Sequence, residues 1–396
     1  MKDQEQKLYK QFTYKSILTI IILLLIVASL NYFFDPYGIY NNRIIIKNLN
    51  DRKPMINSHT RIHKTQKVFL NHYDCIFLGT SRVEASMVFD KYQNYIKKYC
   101  NSYYNAALSS SNIVEMYYML LLVLKYSKPK KIFYGLDFLQ FNAETINYSL
   151  LNLPFFEKPL YTRITYLFSY DMIKDMIRTF KSKEESYYDE YGGWNIEKNY
   201  LMKFPNINLN TIFLINEKAF YYNFFKEFSY KSNNINTWEY YIKILKLMND
   251  YPDIEFYFYI NPFHARLLEV MDLRNMYDLF EQWKKELVLK NKNFAYQTPI
   301  YDFSGYNFIT TEPVNENTKE SLYFYDSSHI KKIVGIYILD YILNQNKKHD
   351  FGIKLTNHNI AFYLREQQNK RKIWKEKNKK IINQIRNFII NQKISF

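Results

Sequence analysis

The sequence predicts an α/β protein on a parallel sheet of about five strands, tethered to a membrane by one N-terminal helix. Three observations predict it. From residue 73 onward short apolar runs alternate with segments of helical period, the pattern of strands joined by right-handed crossover helices. One run, Cys75-Ile76-Phe77-Leu78, stops at Gly79-Thr80-Ser81-Arg82, which puts a serine at the carboxyl end of a buried strand, where open α/β sheets bind ligands. Residues 16–34 are uncharged and apolar, long enough to cross a hydrocarbon core of about 30 Å.

Before that run stand Lys2, Lys7, Lys10 and Lys15 against Asp3 and Glu5. This excess of lysine places residues 1–15 in the cytoplasm and everything after residue 34 outside. A cleaved signal peptide is the competing reading, but no small-x-small site follows the run and no lipobox cysteine is present, so an uncleaved anchor is expected. Asn31-Tyr32-Phe33-Phe34-Asp35-Pro36-Tyr37-Gly38 ends it with interfacial aromatics and a Pro-Gly turn, as suits a chain leaving lipid.

Residues 41–70 are polar and basic, a connector expected to cross the membrane-facing side of the domain. Strand 1 follows at Tyr73 to Leu78, strand 2 at Asn101 to Leu108, and Ser109-Ser110-Ser111-Asn112 caps a helix running to about Tyr126. Pro129 ends that helix and Lys131 to Phe138 reads as strand 3. From about residue 141 to 250 the rhythm breaks into a Tyr-, Phe-, Lys- and Asn-rich stretch with one Gly192-Gly193-Trp194 turn. It reads as a mostly helical insertion over the strand ends, either a lid or an ordinary surface subdomain. Strand 4 is Ile254 to Ile260, a helix runs from about Arg266 to Leu289, and a final strand lies near Tyr301-Asp302-Phe303. The main domain is thus residues 35–360.

With 396 residues, 40 Tyr and 31 Phe against 8 Gly and 10 Pro, the chain can bury one large core and is not compositionally disordered. The net charge of +16 does not make it a nucleic-acid binder: ten Lys and Arg against two Glu lie in the last 36 residues, 361–396. There Ile373, Trp374, Ile381, Ile382, Ile385, Phe388 and Ile389 recur at helical spacing among the cations. The pattern predicts a basic amphipathic helix, which we read as lying on an anionic membrane surface, the alternative being a terminal helix packed on its own domain. Two cysteines, Cys75 and Cys100, are present. Matching strand ends would permit a bridge, but Cys75 sits inside an apolar strand, which favours buried free thiols. No Cys/His cluster has metal spacing, and no cofactor is implied.

Ser81 is the candidate nucleophile, next to helix N–H groups that can hold an oxyanion. The alternative is a tight turn in which Ser81 only caps a helix. Near the other end, Tyr323-Phe324-Tyr325-Asp326-Ser327-Ser328-His329-Ile330 is expected to open an amphipathic helix running to about Ile342, with Asp326 and His329 on one face of its first turn. A carboxylate that fixes an imidazole, which in turn takes a proton from serine, is what nucleophilic catalysis by a weak hydroxyl requires. Asp326 as a plain N-cap and His329 as a surface residue would explain that stretch alone, not the pair of stretches.

Gly79-Thr80-Ser81 and Asp326-Ser327-Ser328-His329, in that order, resemble the first and last blocks of the SGNH hydrolase superfamily, Gly-Asp-Ser and Asp-x-x-His. The chain looks most similar to the membrane-anchored branch with the alginate O-acetylation and teichoic-acid D-alanylation proteins, over residues 35–345. The resemblance implies a three-layer α/β/α, flavodoxin-like domain at the bacterial cytoplasmic membrane, a polysaccharide substrate and a membrane-embedded acyl-donor partner. It also implies an oxyanion hole completed by a second-block backbone N–H and a third-block Asn. Here Thr80 stands for the block-one Asp and Gly135-Leu136-Asp137 for the third block. An ionised Asp137 cannot donate to an oxyanion, so Asn105, at the end of strand 2, is the candidate to supply the missing amide, against a structural turn Asn. His264 ends strand 4 and would bind substrate or compete with His329 as base, unless it is a turn histidine without chemistry. Arg82 can pair with Glu84, with Asp137 or with an anionic substrate.

Two functions follow. One is a serine esterase or O-acyltransferase acting on acyl groups of an envelope or exported polysaccharide, with Ser81, His329 and Asp326 catalytic. The other is a noncatalytic domain of the same fold serving as a partner in envelope assembly, which the substitutions at positions 80 and 137 favour.

Overall fold

The computed structural model describes residues 2–391 apart from 42–43, 48, 148–150, 152, 183, 204–206, 295–297 and 345–350. Parts of the predicted insertion and the last five residues of the predicted C-terminal helix lie outside the described residues. The chain divides into two compact units, Met1–Leu70 with Asn152–Tyr187 and Asn71–Leu151 with Tyr188–Phe396. The stretch read as a single insertion is therefore shared: Asn152–Tyr187 belongs with the N-terminal segment, and the parts on either side of it belong with the sheet.

In the larger unit the strands of the main sheet are β1 (Cys75–Leu78), β2 (Tyr103–Asn105), β3 (Lys131–Leu136), β4 (Glu255–Ile260), β5 (Ile300–Asp302) and β6 (Ile353–Leu355). They form one six-stranded sheet in the order β2-β1-β3-β4-β5-β6. The first five are parallel neighbours and β6 joins β5 antiparallel. β1 to β3 are buried almost throughout, which is why they read as apolar runs instead of alternating. Phe77, Phe133 and Tyr257 stack across three strands at 5.1 and 5.2 Å between ring centroids, cross-strand contacts that hold the register. β6 was not anticipated: three residues, Ile-Lys-Leu, carry too little periodicity to announce an edge strand.

Three helices differ from expectation. The helix predicted over 266–289 is two, Ala265–Leu273 and Tyr277–Lys292, separated at Asn275 with φ of 58°. The helix expected to open near residue 323 begins at Lys332 and runs to Asn344. The C-terminal segment forms Ile360–Lys377 and Lys379–Asn391.

That segment is packed on its own unit, which corrects the membrane-surface reading. Ile382, Ile385 and Ile389 are buried, and Tyr222 on the inserted segment donates to the Ile389 carbonyl at 3.1 Å. Trp374 meets Tyr306, and Lys375 pairs with Glu269 and Asp272 at 3.1 Å. Carboxylates of the domain thus receive part of the tail's positive charge.

Cys75 and Cys100 form a disulfide, correcting the expectation of free thiols. The pairing of Cys75 with Tyr103 brings the turn at Cys100 alongside β1, with the two Cα atoms 5.7 Å apart. Strand burial does not prevent a bridge when the partner is buried in the same core. Closing a loop across 25 positions restricts the unfolded chain by about 3.5 kcal/mol in the chain-entropy treatment. Reductant is expected to lower the unfolding midpoint of the native chain and to leave Cys75→Ala/Cys100→Ala unmoved; equal responses would remove the bridge from the stability account.

In the smaller unit one helix, Lys2–Phe34, is long and apolar enough to cross a membrane, and its apolar stretch is almost uncovered. A second small core forms around Tyr37, Ile39, Tyr40, Ile62 and Met172.

Candidate active site

The turn after β1 is built by Gly79 and Thr80. Gly79 has φ of 145°, and a Cβ there would meet Val83 at 2.4 Å and the Gly135 carbonyl at 2.8 Å. Only glycine lets the strand end turn so sharply against the next helix. Thr80 is the N-cap of the helix Ser81–Ser86. Ser81 is its first residue, so its own N–H has no intrahelical acceptor.

His329 and Asp326 are brought to Ser81 by a loop instead of the expected helical turn. An isolated bridge between Phe324 and Ile330 closes it, and Tyr325 N–H donates to the His329 carbonyl at 2.8 Å. Inside it Asp326 Oδ1 accepts from Ser328 N at 2.6 Å and His329 N at 2.8 Å, an Asx turn, while Oδ2 lies 2.7 Å from His329 Nδ1. Because a carboxylate only accepts, Nδ1 carries the proton and Nε2 is left as the acceptor. Nε2 stands 3.0 Å from Ser81 Oγ. Asp326 is fully buried, and Ser327 Oγ donates to Asn216 Oδ1 at 2.7 Å, tying the loop to the helix Leu209–Ala219.

The remaining candidates fall differently. Asn105 does end β2 beside β1, but its amide is consumed: Nδ2 donates to the carbonyls of Val83 at 2.9 Å and Met87 at 3.1 Å. Its backbone N–H donates to Tyr191. Asn105 therefore fastens the Ser81 helix and the Gly-Gly-Trp turn to the sheet and has no donor left for an oxyanion. His264 is likewise structural. It caps the helix Ala265–Leu273, with Nδ1 accepting from Arg266 N at 3.2 Å and Nε2 donating to the Glu312 carbonyl at 2.8 Å. Burial, with the nearby Arg266 charge, pushes its imidazole down to about 3, so it is neutral with both nitrogens engaged. Its backbone N–H supports the loop that carries Asp326 and His329 at the Ser327 carbonyl, 3.0 Å away.

Asp137 joins a buried cluster that the sequence did not reveal. Thr80 Oγ1 donates to Asp137 Oδ2, and Arg82 Nη1 lies 3.3 Å from Asp137 Oδ1. Of the partners open to Arg82, Asp137 is one that it meets. The guanidinium rests over Phe263 at 4.3 Å, and its Nε has no hydrogen-bond partner among the described residues. Positions 80 and 137, where the sequence departs from the pattern it resembles, are thus bonded to each other.

Ser81, Arg82 and His329 open on a cleft of about 460 Å³. Its walls carry Ser109, Asn112, Gln140, Asn216 and Asn223 beside Trp194, Phe220 and Phe224. Trp194 was missed as a site residue; its ring meets His329 edge to face, 5.6 Å between centroids. The available signal was the Gly-Gly before it. Gly192 has φ of 80°, and a Cβ there would strike the Asn105 carbonyl at 2.4 Å, so the turn can press on β2 and deliver the ring. No cluster of His, Cys, Asp and Glu able to hold a metal occurs among the described residues.

The site is thus a hydrogen-bonded serine–histidine–aspartate array at the carboxyl edge of a mostly parallel α/β sheet. No protein-family model and no curated protein matches the chain.

Proposed function

We propose that the protein is a membrane-anchored serine esterase or O-acyltransferase with a three-layer, SGNH-like α/β/α domain, acting on acyl groups of an envelope or exported polysaccharide. The observation that carries this reading is the Ser81–His329–Asp326 relay at 3.0 and 2.7 Å. Strand order 2-1-3-4-5 among the parallel strands is that of doubly wound flavodoxin-like sheets, whose ligands bind at the β1/β3 switch point. Ser81 leaves β1 at that point.

Ser81 Oγ attacks the acyl carbonyl carbon and its proton passes to His329 Nε2, Asp326 stabilising the imidazolium. The oxyanion draws on the Ser81 N–H and the Arg82 guanidinium. Collapse breaks the ester C–O bond, His329 protonating the departing oxygen, of the sugar in hydrolysis or of the acyl donor in transfer, to leave an acyl-serine. Water or a second sugar hydroxyl then attacks with His329 as base, which releases Ser81. Neutral hydroxyls and amides beside aromatic rings suit a hydroxyl-rich, uncharged ligand, and Asp137 pairs with Arg82, the cation next to the nucleophile in sequence.

The helix Lys2–Phe34 anchors the chain in the cytoplasmic membrane with its amino end inside, and a Cys75–Cys100 bridge is at home in an oxidising compartment outside. A membrane-embedded acyl donor is the partner this reading requires for transfer. A fluorophosphonate probe is expected to label the full chain at Ser81 and to leave Ser81→Ala unlabelled. Equal labelling of the two would overturn the assignment of Ser81 as the nucleophile.

A further inference from the structure

We propose that the helices Pro159–Leu167 and Tyr170–Lys181, with the loop Ile44-Ile45-Ile46, form a collar embedded in the lipid interface where the N-terminal helix leaves the membrane. The inference rests on reading Lys2–Phe34 as a membrane span.

The first helix turns Thr162 inward and leaves Leu160, Tyr161, Ile164 and Phe168 exposed. These stand at i, i+1, i+4 and i+8, one continuous stripe without a charge. The second buries Met172, Asp175 and Thr179 and exposes Tyr170, Ile177 and Phe180 along one edge. Its cations Lys174, Arg178 and Lys181 occupy the next face, Lys174 beside Asp171 at 3.4 Å and Arg178 beside Asp175 at 2.8 Å. A helix surface facing water would carry polar residues on both, and an apolar stripe bordered by cations is the signature of an interfacial helix. Ile44, Ile45 and Ile46 are exposed as well, at 60, 65 and 46%.

The occupant follows from where these residues are fastened. At 1.5 Å per residue, residues 16–34 extend about 28 Å, so residues 31–34 reach the far edge of the hydrocarbon core. All three segments are held at that level. Asn31 Nδ2 donates to the carbonyls of Leu167 and Ser169, both at 2.9 Å, at the end of the first helix. Phe34 meets Phe180 of the second edge to face at 5.2 Å. Asn50 Nδ2 joins the Phe33 carbonyl at 3.0 Å to that of Ile44 at 2.8 Å. The exposed apolar groups thus continue the surface of the membrane helix outward from its last turn, and the lipid that covers the helix covers them.

The test uses the full chain in phosphatidylglycerol–phosphatidylethanolamine vesicles, with an NBD fluorophore on one introduced cysteine at a time. Ile45→Cys, Ile164→Cys and Ile177→Cys report on the collar, Leu23→Cys on the span, and Lys174→Cys on the cationic face. Collar and span labels are expected to lose most of their emission to doxyl lipids and little to aqueous iodide, with Lys174→Cys reversed. Collar labels quenched by iodide while Leu23→Cys stays in lipid would overturn the collar and leave the span standing. Leu23→Cys quenched by iodide would overturn both. Collar labels shielded from both quenchers would mean that protein covers this face, and the proposal would fail.

Discussion

Asp326→Asn is expected to lower kcat/KM toward an acyl ester by about 10⁴-fold while leaving the fold intact. The two oxygens of Asp326 do separate work. Oδ1 accepts the backbone N–H groups of Ser328 and His329, and an asparagine carbonyl does this equally well, so the loop persists. Oδ2 accepts the Nδ1 proton of His329; an amide NH₂ placed there donates instead and drives the imidazole to the tautomer whose Nε2 carries the proton. Nε2 then cannot accept from Ser81 Oγ. Steady-state hydrolysis of a small acetyl ester, with circular dichroism to verify folding, measures this. Ser81→Ala should lose comparably, and the two together little more than either, because the relay acts as a unit. Independent, multiplicative losses would mean that Asp326 does not act through His329.

Ile385→Ala/Ile389→Ala should lower the melting temperature by roughly 8–16 °C, at about 2 °C per kcal/mol for a unit of this size. The two side chains are 1 and 2% exposed, and truncating each costs about 2–4 kcal/mol, or ~4–8 for the pair if the sites add. Thermal unfolding in detergent, without bilayer, is the decisive measurement: a helix that merely lies on lipid would lose nothing there. Ile390→Ala, one position on but 72% exposed, is the internal control and should leave the midpoint unchanged.

Much of the site was legible because its chemistry is local. Gly79-Thr80-Ser81 ends a strand that no other reading of Cys75-Ile76-Phe77-Leu78 accommodates, and Asp326 and His329 are close enough in sequence for one loop to unite them. The loop itself was misread as a helical turn, since three-residue spacing serves both. Asn105 was placed correctly at the end of β2, yet what its amide would bond depended on carbonyls of Val83 and Met87 that no spacing announces. Trp194 lay in a stretch without periodicity, and the Gly-Gly before it marked a turn without saying what the turn would deliver.

By itself the sequence determined the long apolar N-terminal helix, the parallel strands and the place of Ser81 at the end of β1, because each depends on hydrophobic runs and their punctuation, which are properties of contiguous residues. The tertiary structure alone decided the Cys75–Cys100 bridge, the packing of the tail, and the meeting of Thr80, Asp137 and Arg82 in one buried cluster. Each of these joins groups separated by tens of residues or more, and a buried charge or an apolar face takes whichever partner the fold brings within reach.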